Sequence, residues 1–309
     1  MIGINEISSY LPEFYINNIK RAEEFFGEKP GFIEEKIGAH FLPRKKLEEE
    51  TSDMAVKAIK NLIKKTGFSL NDIDLLVIVT QNPDGYGLPH TSAIIHRKLE
   101  LASNVAAFDL SLGCSGYVYG LSVVKGLMEQ ANLKNGVLVT ADPYSKILNN
   151  EDRNTSLLFG DAATATWLSE KGKWKLGIPV LQTDGQGSNN LCVTGNVLSM
   201  NGRQVFNFAS KQVPQQIRKA LEINSIDESE IDRYVIHQGS LSIVDAIARK
   251  FPSVKERYIS DIKMTGNTVS SSIPLLLEKY VLISDSEKVL VSGFGVGLSW
   301  ASNILYKEC

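Results

Sequence analysis

The sequence is short of cysteine, of net charge and of long apolar runs. Its three cysteines, Cys114, Cys192 and Cys309, are far apart. Scattered thiols build no disulfide framework, which excludes the stapled secreted scaffolds and predicts a reducing, cytoplasmic setting. The 33 Lys and Arg residues nearly balance 35 Asp and Glu, for a net charge of -2. That balance leaves no global attraction to nucleic acid or to an anionic membrane. No apolar run approaches the roughly 18–20 residues that a membrane span needs. The opening Met-Ile-Gly-Ile-Asn-Glu lacks the basic-then-apolar pattern of a signal peptide. Histidine is scarce too. His90 and His96 do not share a helix face and have no acidic or Cys partner at ligand spacing, so no metal site is expected.

What is present is an alternation. Leu75–Thr80, Val137–Thr140, Tyr234–Ile236 and Val289–Ser292 are short, apolar and β-branched. Such runs suit strands covered on both faces. Helical periodicity lies between them. From about Ser52 to Lys65, Met54, Ala55, Ala58, Ile59 and Leu62 share one face, with Thr51 and Ser52 as expected N-caps. A second such stretch runs from about Val213 to Ile223. This is an α/β pattern.

The pattern is echoed within the chain. Ser69-Leu-Asn-Asp-Ile-Asp and the strand to Gln81 resemble Asp227-Glu-Ser-Glu-Ile-Asp and the strand to Gln238. Gly136-Val-Leu-Val-Thr-Ala141 likewise matches Lys288-Val-Leu-Val-Ser-Gly293. Two agreeing pairs predict a duplicated unit with its seam near 165–180. Thr183–Gly202, rich in Gly, Asn and Ser, reads as a surface loop. Glu48–Glu50 and Lys45-Lys46 read as a solvated loop.

Four elements could carry chemistry. Cys114 lies at an expected strand-to-helix turn between Gly113 and Gly116, where a helix N-terminus favours thiolate and the glycines permit a tight turn. His237 ends a strand, at the edge where open α/β sheets build sites. Asn267 follows Gly266 and precedes a Ser/Thr cluster, which suggests a loop entering a helix. Gly293-Phe-Gly-Val-Gly297 follows a buried strand and could bring backbone N–H groups close to a phosphate or an oxyanion.

Together these segments resemble the β-ketoacyl-acyl-carrier-protein synthase III family of the thiolase superfamily. The similarity rests on Asp109–Leu121, Phe159–Ala165, Asn201–Phe206, His237-Gln238, Gly266-Asn267 and Gly293–Trp300, in the family's order, from about residue 30 to 305. The resemblance implies a thiolase-like five-layered αβαβα fold from two duplicated halves, 1–168 carrying the Cys and 169–309 carrying His and Asn. It also implies a homodimer. Cys114 would be acylated by a coenzyme A thioester. His237 and Asn267 would support decarboxylative Claisen condensation with malonyl-acyl-carrier protein or malonyl-CoA. Backbone N–H groups of Cys114 and Val296 would form the oxyanion hole. Coenzyme A is implied as substrate, with no permanently bound cofactor.

The same resemblance assigns Phe32 and Arg153 to the adenine, Lys36 to a phosphate, and Arg203, Phe206 and Ser240 to the pantetheine. Leu88 would shape the acyl pocket across the dimer interface. Arg249 and Lys250 would remain of a basic carrier-protein docking patch. The chain departs from the pattern at His237-Gln-Gly-Ser240, where the family reads His-Gln-Ala-Asn, and at Ser242 and Asn207, which replace basic docking residues. These departures suit a specialised relative. Two other readings use the same motifs: an acyltransferase that moves the acyl group to an alcohol, amine or acid without decarboxylation, and a non-catalytic subunit that only completes a dimer.

Overall fold

A computed structural model describes residues 1–308, so Cys309 lies outside the described residues. Nine strands follow one another across a mixed sheet in the order 233–236, 288–295, 299–307, 174–176, 3–10, 163–169, 135–141, 75–79 and 106–110. A tenth, 180–183, pairs with 299–307. The strand runs expected from β-branching are all present. Leu75–Val79 is flanked by parallel neighbours on both sides, which explains why it reads as apolar at every position.

Side-chain alternation divides this sheet's packing into three cores. Leu76 and Ile78 face the helices Thr51–Thr66 and Thr91–Lys98, against Met54, Ile59, Leu62 and Ile95. Leu75, Val77 and Val79 face the opposite way, onto Tyr117, Leu121 and Val124 of the helix Gly116–Ala131. The far side of that middle core is closed by Val235, Val289 and Val291. Tyr234, Ile236 and Leu290 then look outward onto Val213, Ile217 and Ile247 of the helices Gly202–Ile223 and Leu241–Ala248. The result is helix, strands, helix, strands, helix: the thiolase-like layering. Each fully buried Val, Leu or Ile in these layers contributes on the order of 1.5–3 kcal/mol of transfer free energy.

The duplication extends to single hydrogen bonds. Asp74 Oδ2 accepts the N–H groups of Lys134 and Asn135, at 2.8 and 2.9 Å. Asp232 Oδ2 accepts those of Glu287 and Lys288, at 2.7 and 2.9 Å. In each half the Asp of the Ile-Asp pair thus ties its own strand to the start of a parallel neighbour.

Three local readings are corrected. The Thr51–Thr66 helix is capped by Glu50 in a reciprocal box with Asp53, because Thr51 Oγ1 and Ser52 Oγ are used elsewhere, on Asn82 and Asp84. Glu49 is buried and bonded to Lys57 Nζ at 2.6 Å, so the acidic run is not a solvated loop. The helix expected from about Val213 starts at Gly202, with Pro214 inside it. Proline near an expected helix start suits a first turn, which hid the exposed turns before it.

Candidate active site

Cys114 precedes the helix Gly116–Ala131, whose N-cap is Ser115. The flanking glycines are required for space rather than for left-handed backbone. A Cβ on Gly113 would lie 2.6 Å from Gln81 Oε1, and one on Gly116 would lie 2.3 Å from Val79 Cγ1. The second half presses equally close. A Cβ on Gly293 would lie 2.6 Å from the Cys114 carbonyl oxygen, and one on Gly295 would lie 2.7 Å from its Sγ. The glycine run around Val296 is therefore a close-approach surface built around one thiol.

His237 follows the strand Arg233–Ile236 and is buried. Its Nδ1 lies 2.7 Å from Ser272 Oγ, and its ring meets Phe294 edge-on at 5.4 Å. Asn267 is held by its backbone: its N–H donates to the Leu158 carbonyl at 2.8 Å, and its carbonyl accepts from Gly160 N–H at 3.0 Å. Gly266 before it has φ +61°, and a Cβ there would lie 2.4 Å from Leu42 Cδ2. Asn267 Oδ1 accepts the Val269 N–H at 2.9 Å. With the oxygen engaged, the side-chain NH₂ is left as a donor.

Cys114, His237 and Asn267 line one cavity of about 210 Å³, together with Phe159, Phe294 and Gly295. Burial governs its electrostatics. The Cys114 thiol is pushed up to about 12, first by desolvation and then by the nearby Asp142 carboxylate, against the lowering effect of the Val296 and Cys114 N–H groups. The expectation of a thiolate therefore fails in the resting chain: loss of solvation outweighs the helix terminus. Burial also pushes His237 down to about 3, against a smaller upward effect of a backbone hydrogen bond at Val269. The resting pair is a neutral thiol and a neutral imidazole, able to donate without carrying charge.

Comparison with known proteins converges on one family. The chain matches the family profile of 3-oxoacyl-[acyl-carrier-protein] synthase III over residues 108–199, and that of its C-terminal part over 221–307. It is 32% identical to the β-ketoacyl-[acyl-carrier-protein] synthase III of Clostridium perfringens, over 96% of each chain. It is 31% identical to that of Lactococcus lactis subsp. cremoris, over 98% of each.

The chain belongs to the 3-oxoacyl-[acyl-carrier-protein] synthase III family.

Solved structures agree. A 3-oxoacyl-(acyl-carrier-protein) synthase III crystal structure superposes with a TM-score of 0.93 at 31% identity, covering 99% of each chain. The priming β-ketosynthase of the R1128 polyketide pathway gives 0.90 at 26%, covering 100% of this chain and 97% of that one. As a synthase III family member the protein is a condensing enzyme. No helix among the described residues is long and apolar enough to cross a membrane.

The remaining expected residues fall in four places. Phe32, Lys36, Arg153, Phe206 and Ser240 line the mouth of the Cys114 cavity. The Arg153 guanidinium already lies over the Phe32 ring, 5.4 Å from its centroid, and is ion-paired with Glu28. Ser240 Oγ caps the helix Leu241–Ala248 and lies 3.1 Å from Ser242 Oγ. Arg203 is exposed beside this mouth and lines a neighbouring shallow depression, not the Cys114 cavity. Leu88 is 92% exposed and lines no part of the Cys114 cavity. Arg249 and Lys250 are exposed beyond the end of Leu241–Ala248, with Arg249 3.9 Å from Asp245.

Several site residues escaped the sequence reading. Asp142 is buried, and desolvation pushes its carboxyl up to about 7 despite bonds from Asn82 Nδ2 at 2.7 Å and Gln81 N–H at 3.1 Å. It follows the strand Asn135–Ala141, so the strand-end rule that selected His237 selects it too. Ser272, on His237, lay hidden in a serine run. Thr183–Gly202 is not a plain loop: it forms a 3₁₀ turn and the hairpin Leu191–Thr194/Val197–Met200, whose buried Leu191 and Leu198 pack near Cys114.

Proposed function

We propose that the enzyme takes an acyl group from a coenzyme A thioester onto Cys114 and condenses it with a malonyl thioester, held by coenzyme A or by a carrier protein. The carrying observation is that a buried thiol, a neutral imidazole and an amide donor with its oxygen tied back line one cavity. Cys114 Sγ attacks the acyl carbonyl, the carbon–sulfur bond to coenzyme A breaks, and the thiol proton leaves with the departing sulfur. The oxyanion that forms is met by the Cys114 and Val296 N–H groups. In the second stage the malonyl carboxylate departs as carbon dioxide. The enolate left behind is stabilised by hydrogen bonds from His237 and Asn267. Its carbon attacks the acyl carbonyl, Cys114 sulfur is expelled as thiolate and takes a proton from solvent, and a 3-oxoacyl thioester results. Neutral donors suit this step because an imidazolium would protonate the enolate.

Every group this needs is a side chain or a backbone N–H, so no resident cofactor is required. Phe32, Arg153, Lys36, Arg203, Phe206 and Ser240 receive coenzyme A or its pantetheine; Arg249 and Lys250 dock a carrier protein. The chain acts as a cytoplasmic homodimer. Exposed Tyr86 and Leu88 and the sheet-edge strand Ala106–Leu110 support that pairing, in which Leu88 reaches the partner's acyl pocket. The seam of the duplication falls between residues 168 and 169, at the end of the strand Ala163–Ser169.

Intact mass after incubation with acyl-CoA, followed by carbon dioxide release from a malonyl thioester, tests the reading. The parent gains one acyl group and Cys114→Ala gains none. Asn267→Ala still gains it but condenses about 10²–10³-fold more slowly. Acyl transfer without carbon dioxide release would overturn the condensing scheme.

A further inference from the structure

Cys114 lines the first cavity, and a second adjoins it. The second, of about 360 Å³, is walled by Gln81, Tyr144, Leu191, Leu198 and Val296, and its outer rim is at Cys192 and Val193. Leu191 is common to both cavities. Cys114 packs in one cluster with Tyr144, Leu191 and Leu198, so residues of the second cavity's wall lie against the nucleophile's segment. An acyl group on Sγ, with its former carrier in the first cavity, has the second to grow into. Its inner end is walled by the Tyr144 ring, which is buried and braced on Phe159, centroids 4.8 Å apart.

The inner wall is polar. Gln81 Oε1 would lie 2.6 Å from a Cβ on Gly113, so the amide abuts the residue next to the nucleophile. Gln81 Nε2 donates to no group among the described residues, and its Oε1 has only a long 3.5 Å contact with the Tyr144 hydroxyl. Asn82, behind it, is anchored on Asp142. A plain alkyl chain here would cover these groups without satisfying them. A pocket built to bond a hydroxyl rejects the analogue that lacks one far more strongly than an apolar pocket rejects an extra methylene.

We propose that the second cavity selects a short acyl group carrying a hydroxyl on its third carbon, held by Gln81 and Tyr144. This rests on the acyl-enzyme reading above. The test is the rate of mass gain at Cys114 with acetyl-, butyryl-, (R)- and (S)-3-hydroxybutyryl- and octanoyl-CoA. One 3-hydroxybutyryl isomer should load at least about tenfold faster than butyryl, and octanoyl should fail. Gln81→Leu should reverse that preference while still taking acetyl, and Tyr144→Phe should narrow it. If Gln81→Leu does not fold, Gln81→Met serves in its place. Butyryl loading as fast as both hydroxy isomers, or a ratio unmoved by the Gln81 variant, overturns the proposal and leaves the acyl-enzyme intact. No adduct from any thioester, with Cys114 still alkylated by iodoacetamide, overturns the acyl-enzyme reading and this one with it.

Discussion

Gln81 and Gln238 lie just past the strand ends of the two halves, one place apart when Asp74 is laid on Asp232, and they are used in opposite ways. Gln238 is buried; its Nε2 donates to the Ile236 carbonyl at 2.8 Å and its Oε1 accepts the Asp261 N–H at 3.3 Å. Gln81 keeps its amide donors free at a cavity. The neighbouring positions diverge too. Counted from the matched Asp74 and Asp232, Val79 corresponds to His237; counted from Asn135 and Lys288, Ala141 corresponds to Phe294, the ring that packs on His237. At the other ends of the strands, Asp74 and Asp232 remain matched bond for bond. The amino ends of the strands preserve the architecture, and the carboxyl ends have been released for chemistry. One half carries the Cys114 thiol; the other carries His237 and Asn267, which line the same cavity.

The strongest way to break that division is at the contact between the halves. Gly295→Ala places a methyl where Sγ now lies, 2.7 Å away. Displacement of the thiol by a fraction of an ångström should slow acylation about 100-fold, read by intact mass against time, with the far-ultraviolet circular dichroism unchanged. An unaltered rate would mean that the Gly-rich loop does not set the thiol's position.

A smaller effect isolates the first half's own acid. The Asp142 carboxyl is raised to about 7 by burial, against 3.8 unfolded. The folded chain therefore holds a proton that the unfolded chain releases, and stability falls as pH rises from about 4 to about 7. Asp142→Asn removes this dependence and keeps an oxygen for Asn82 and Gln81. It should match the parent at pH 3.5 and exceed it by a few kcal/mol at pH 8, in denaturant unfolding. The same substitution removes a charge that opposes thiolate, so iodoacetamide should modify Cys114 faster at pH 8. His237 acts with the opposite sign: its lowered value removes stability as pH falls from about 6.5 towards about 3.

The smallest effect sharpens the comparison itself. Gln238→Ala should cost about 1–3 kcal/mol, because it strands a carbonyl and an N–H in a buried site. Gln81→Ala should stay within about 0.5 kcal/mol of the parent. Equal losses in the two denaturation curves would make both glutamines structural.

The strand runs, the repeat and the Cys, His and Asn positions were legible because each has a local signature: β-branched runs, matching acidic turns, strand ends and glycine neighbours. The cavity's polar wall was not. Gln81 and Tyr144 acquire meaning only when separate segments fold together around Cys114, and Asp142, at a strand end, carried a signal that was passed over. The thiol's protonation state was misread for the same reason. A helix N-terminus is visible in sequence, whereas the desolvation that outweighs it comes from residues of both halves. The Thr183–Gly202 segment was misread because its two apolar anchors, Leu191 and Leu198, are diluted among Gly, Asn and Ser.

The close approach of Gly293 and Gly295 to Cys114 also has a consequence in time. Synthesis at about 5–20 residues per second leaves roughly 10 to 40 seconds between the nucleophile and the loop that encloses it. During that interval the second half's share of the cover is missing, so the thiol is less desolvated and holds more thiolate than in the finished fold. Oxidants and alkylating agents therefore meet their most vulnerable target on the ribosome, and completion of the second half is the step that shields it.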